Sequence, residues 1–199
     1  MHSLIEMLVA VEMLLLPAWV GAAMVRPPDG LRRRLLRGVA PVAAAAVVLV
    51  ALGAFVSKER AAAVLRSQAV AAGFLVLLVG LATALNRVTG PRATQMITAL
   101  LGWLVLAAAI LAGPVVELVG PAAKESIVCA VAYANPLVVA EHELGLAWLH
   151  QGLTYPLTPI GESYAYLFTG LAWWKTLLAH VFAGSGLFVF SLRKPGGQA

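Results

Sequence analysis

Metal ligation and proton transfer both need histidine and carboxylate side chains, and in this chain they crowd unevenly. Between Gly120 and Tyr166 lie Glu125, Glu141, His142, Glu143, His150 and Glu162, with Lys124 and the prolines Pro136, Pro156 and Pro159 among them. On a helix, Glu143 and His150 are seven apart and share a face, while His142 is turned away from His150 by roughly 80°. One carboxylate and two imidazoles are the ligand types that Cu²⁺ and Zn²⁺ take. His142, Glu143 and His150 are therefore the metal candidates. No HExxH accompanies them, and two histidines eight apart are not a standard ligand pair. The competing reading is an ionic fringe on a solvated helix end.

His180 is the cofactor candidate, because a histidine inside an apolar span invites haem b. A bis-histidine haem needs two imidazoles at matching depth on facing helices. His142 and His150 belong to the 120–166 stretch, His2 stands at the chain start, and His180 is expected about 20 Å from the outer end of its span. These depths do not match, which favours a hydrogen bond from His180 to a neighbouring helix or subunit. Glu12 is the intramembrane acid. An ionised carboxylate in hydrocarbon is expensive, so such a residue serves a proton relay or an ion site, or else is protonated or pairs with a polar group on a partner subunit. No second acid is expected at its depth.

Other features carry less chemistry. Lys175 follows Trp173 and Trp174, as a snorkelling lysine in an aromatic belt would. Gly184-Ser185-Gly186 lacks the strand-to-helix elbow of a nucleophile and reads as helix packing. There is no Walker A, no GxGxxG and no CxxCH. Cys129 is the single cysteine, so no internal disulfide or CxxC pair forms.

The elements that must position these groups are membrane helices. Hydrophobic residues make up 61% of the 199 and charged residues 12%, with a mean hydropathy of +0.91. A soluble domain carries about 25% charge. Apolar runs of roughly 20 residues recur, enough to cross a ~30 Å hydrocarbon core as helices. The ten-residue alternation of a barrel is absent. The fold class is all-α: a polytopic transmembrane bundle, one integral-membrane domain. Its spans are expected at about 3–25, 39–57, 67–86, 95–119 and 167–192, with a re-entrant or interfacial excursion over 120–166. The rival arrangement makes 122–146 a sixth span. Pro17 is expected to kink the first span. The segment from Lys58 to Arg66 is expected to hold a short interfacial helix, and Thr94 to cap the fourth span. Gly73 and Gly80, seven apart, should share a helix face, and Ala43–Ala46 should let a neighbouring helix approach closely.

The formal net charge of +5 sits at the ends of apolar runs, which points to topology and not to nucleic acid. Arg26, Arg32–Arg34, Arg37, Arg87, Arg92, Arg193 and Lys194 fall on one side of a five-span arrangement. Lys58, Arg60, Arg66 and Lys124 fall on the other. The positive-inside rule then makes the first side cytoplasmic, with the N-terminus and the excursion outside and an inner (plasma) membrane as the location. The expected function is a non-catalytic membrane subunit of a larger complex, of respiratory, photosynthetic or other electron-transfer type, with structural and docking roles. Its expected partners are membrane lipids and other membrane subunits. A permease subunit resembling the membrane half of an ABC exporter is the alternative, and a haem b- or quinone-binding anchor the second. No cofactor is required by the sequence.

Overall fold

The computed structural model describes residues 2–25, 31–145 and 172–192. All regular structure among them is helical: α1 (His2–Val25), α2 (Leu31–Val56), α3 (Lys58–Val88), α4 (Pro91–Leu118), α5 (Pro121–Ala134), α6 (Pro136–Leu144) and α7 (Trp173–Leu192). Five of these, α1 to α4 and α7, are long and apolar enough to cross a membrane. α5 and α6 form a pair bent by 84° that passes the same test only when taken together.

The bundle is built around α3. Its 31 residues extend about 46 Å at 1.5 Å per residue, well beyond a ~30 Å core. The excess is the polar start, Lys58 to Arg66. This start belongs to α3 and is not a separate interfacial helix. Ser57, in an extended conformation, caps it by accepting from the Arg60 N–H at 3.0 Å. Glu59 then favours the first-turn dipole, and an alanine run continues the helix without a breaker. Phe74, Val70, Val64 and Leu78 on α3 are buried against Ile5, Val9, Met13 and Leu16 of α1.

Against α7 the contact is backbone to backbone. A Cβ on Gly80 would collide with the Gly184 carbonyl, and a Cβ on Gly184 would lie 2.5 Å from the Val76 carbonyl oxygen. Gly73 meets Leu177 in the same row, as the seven-residue spacing predicts. Packing through small residues is how helices associate where no hydrophobic effect drives them. Gly186, by contrast, faces open space.

Other boundaries moved. α2 begins at Leu31, so the arginine run forms its first turns. α4 begins at Pro91 with Gly90 at the cap, because proline at the first helical position needs no N–H acceptor. Thr94 is one turn inside, where its hydroxyl contacts Gly90 O at 3.2 Å and Thr89 Oγ1 at 2.9 Å. Ala43 and Ala44 are exposed, and Ala45 and Ala46 are half-buried. Pro17 lies within an uninterrupted α1. The parts of the excursion and last span over 146–171 lie outside the described residues.

The chain's ends sort into two sets. Glu6, Arg60, Arg66, Glu143 and Leu144 meet at one end of the bundle. At the other, Arg87 Nη1 donates to Phe190 O at 3.2 Å, which puts the C-terminus of α7 beside the α3–α4 turn. α4 runs toward the Glu6 end, α5 doubles back along it with Val128 against Val116, and α6 returns to Arg60. The pair therefore enters and leaves by the Glu6 end, as a re-entrant excursion does. The fold thus defines an all-helical bundle with five helices long and apolar enough to cross a membrane and one sharply bent helical pair.

Candidate functional site

The break between α5 and α6 falls at Asn135-Pro136. A residue preceding proline is held out of the α region, and Asn135 sits at φ −95°, ψ 106°. Its side chain then does two jobs, and its backbone N–H a third. Oδ1 accepts from the N–H groups of Leu137 at 3.0 Å and Val138 at 3.3 Å, capping α6. Nδ2 donates to Leu106 O on α4 at 2.8 Å. Its backbone N–H closes on Val131 O and Ala132 O.

The last carbonyls of α5 are taken by α7. Thr176 Oγ1 donates to Tyr133 O at 2.9 Å, and His180 Nε2 lies 3.0 Å from Ala134 O. A carbonyl only accepts, so Nε2 is the protonated nitrogen. The His180 ring tilts against Phe74 at 5.6 Å between centroids, and its Nδ1 is buried with no hydrogen-bond partner. Lys175, on the same helix, lies over the Tyr133 and Trp174 rings at 5.3 and 5.8 Å. Broken backbone inside a membrane is tolerated only where protein or water satisfies it; here protein side chains do.

At the Glu6 end, Arg60 pairs with Glu6 and donates from Nη1 to Leu144 O at 2.6 Å, while Arg66 pairs with Glu143. Gly145 closes α6 at φ 69°, a conformation suited to glycine. Ser67 Oγ bridges Ala63 O at 3.0 Å and Ala140 O at 3.4 Å. The α6 end is thus fastened to α3 by charge-assisted and neutral bonds together.

Of the metal candidates, Glu143 is engaged by Arg66, His142 is half-buried one residue away, and His150 lies outside the described residues. Among the described residues no group of three or more His, Cys, Asp or Glu side chains gathers. Glu141 is buried and has a polar partner, unlike a solvated fringe. The cofactor candidate, His180, has Nε2 committed to a carbonyl, which leaves only the enclosed Nδ1 for a ligand.

Glu12 stands about 9 Å along α1 from Glu6 and about 20 Å from Val25, so it lies in the half nearer Glu6. Its Oε2 accepts from Gln68 Nε2 at 2.8 Å. The other oxygen, and Oε1 of Gln68, are buried without partners. Sequence reasoning missed Asn135, Thr176 and Gln68. The Asn-Pro dipeptide was the signal for the first, since asparagine caps helices and proline opens them. For Gln68 the signal was the need of Glu12 for a polar neighbour.

No protein-family model matches the chain, and no curated protein or solved structure matches it either.

Proposed function

We propose that this chain is a non-catalytic integral-membrane subunit of a larger membrane complex, of respiratory, photosynthetic or other electron-transfer kind, that supports and docks its partners. The observation that carries the reading is the sealed break at Asn135. Its caps, carbonyls and flanking ion pairs are spent on holding α5 and α6 against α3, α4 and α7. Such groups form a rigid platform and leave little for catalysis. α2, only 11% of whose span is buried, and the outward faces of α7 at Phe182 and Phe190 offer lateral surfaces to lipids and neighbouring membrane subunits.

The test is purification from the native membrane in mild detergent, with identification of co-migrating chains and an absorption spectrum of the preparation. Stable partner chains are expected. A chain that runs alone as a monodisperse monomer sinks the proposal, and a Soret band would move it toward the haem-binding anchor.

A permease subunit is the second reading, favoured by the 84° bend of a helix pair that dips in and out by one face. Discontinuous helices line substrate paths in many transporters. A disulfide engineered between α6 and α7 separates the two: a platform keeps its assembly when locked, whereas a gate stops flux.

In orientation, the basic end containing Arg33, Arg37, Arg87 and Arg92 is cytoplasmic, with the N-terminus outside an inner (plasma) membrane. Single cysteines at Gln151 and Gly197, in a Cys129→Ser background, should then label from opposite sides of intact cells. Labelling of both from one side would reject this arrangement.

A further inference from the structure

Glu12 belongs neither to the sealed break nor to the ion pairs at the Glu6 end. We propose that Glu12, on the wall of the groove between α1 and α2, is a binding site for a lipophilic organic cation that enters sideways from the bilayer.

The groove has a volume of about 290 Å³, and apart from Glu12 its lining is apolar, with Leu8, Val11, Leu15 and Val42 among the residues. Trp19 and Pro41 line it and also a second hollow of about 400 Å³ that continues toward Arg37. Hollows of this order hold small organic molecules when apolar walls surround one or two polar groups. α2 is the least buried of the five spans, which leaves the groove open laterally.

Charge complementarity selects the occupant. Glu12 is, among the described residues, the one ionisable group on this wall. Among the described residues it has no ion pair, and its bond from Gln68 is to a neutral amide. Glu12 Oε1 and Gln68 Oε1 are acceptors left buried without donors, and Gln68 is 6% exposed. An acid with an orphan oxygen on the wall of an apolar hollow, backed by a second orphan acceptor on Gln68, calls for positive charge on an apolar body. The terminal torsion of a glutamate is broad, so a small rotation turns either oxygen toward the groove. Arg37, at the far end, repels a cation and confines it to the Glu12 end.

Two molecules of the same shape and opposite charge test this. Binding of radiolabelled tetraphenylphosphonium to the purified protein in detergent micelles, measured by equilibrium dialysis, is expected to be saturable. Tetraphenylborate should not compete for the site. Glu12→Gln, which keeps the side-chain shape and an acceptor for Gln68, should weaken the phosphonium by about tenfold or more. Glu59→Gln, an exposed acid elsewhere, should leave it within about twofold. Absence of saturable binding, wild-type affinity in Glu12→Gln, or equal competition by the borate overturns the proposal. If Glu12→Gln does not fold, Ala45→Trp fills the groove and retains the acid. It should abolish binding, and unchanged affinity in that variant overturns the proposal as well.

Discussion

Pro17 and Pro136 both fall in apolar helices here, and they have opposite consequences. Pro17 lies inside α1, which continues through it, whereas Pro136 marks an 84° bend. Both lack the N–H that an interior position would donate. Preceding Pro17 is Leu16, with no side-chain acceptor to start a new helix. Preceding Pro136 is Asn135, which caps two N–H groups at once. The neighbours differ in the same sense. Beside Pro17, Trp103 Nε1 donates to Leu14 O at 2.9 Å, and Gly102 leaves room for the ring, since a Cβ there would lie 2.6 Å from Pro17 Cβ. Beside Pro136, donors from α7 take two α5 carbonyls, and Asn135 Nδ2 donates to the Leu106 carbonyl of α4. Proline therefore sets where hydrogen bonds are lost, and the surrounding side chains decide whether the helix goes on or turns.

The largest effect should come from lifting away the helix that holds the bend. Gly184→Val drives a side chain into the α3 backbone, where no rotamer change relieves the overlap, and should cost more than about 3 kcal/mol. α7 would then withdraw Thr176 and His180 from the carbonyls of α5. Gly186→Val, with open space around it, should be close to neutral. Thermal unfolding in detergent checks the pair, and equal melting temperatures for the two variants would break the claim that α7 clamps the bend.

Next comes Asn135→Leu, which strands two α6 N–H groups and the Leu106 carbonyl in an apolar setting. The loss should be about 3 kcal/mol, with Asn135→Ser recovering roughly half because it caps but cannot reach α4. The same unfolding assay distinguishes them. A Leu variant as stable as the parent would mean that water or lipid headgroups already reach the break. His180→Phe, which keeps the ring against Phe74 but drops the donor to Ala134 O, should cost about 1 kcal/mol.

How much of this was legible beforehand follows from what membranes impose. Apolar runs of span length must be helices, so five spans could be read directly from hydropathy, and of the excursion the described part is helical over Pro121–Ala134 and Pro136–Leu144. The Gly73–Gly80 row was visible as a spacing, though its partner Gly184 needed the fold. Boundaries failed where local rules competed: the Lys58–Arg66 segment looked interfacial by charge, but Glu6 and Glu143 neutralise its arginines and let α3 run on. The candidate sites fared unevenly. The hydrogen bond of His180 to a neighbouring helix was anticipated. The pairing of Glu12 with Gln68 was not, because residues 56 apart in sequence become neighbours only through packing. A few polar residues scattered over several helices carry no periodic signal. They converge only when the helices do.

The smallest effects sharpen the comparison most. Pro17→Ala restores a helical hydrogen bond but empties the space between Gly102 and Leu78, so the two should nearly cancel, within about 1 kcal/mol. Pro136→Ala should cost about 0.5–1 kcal/mol, through the freedom it gives the unfolded chain. It should not straighten the pair, because Asn135 still caps α6 and α7 still holds the α5 carbonyls. Spin labels at Ala130 and His142 can read this, since a continuous helix would separate those backbone positions by about 18 Å. The bent pair holds them closer, and Pro136→Ala should keep the parental distance while Asn135→Leu lengthens or broadens it. If Pro136→Ala alone restored the straight-helix distance, the ring and not its neighbours would be the cause of the bend.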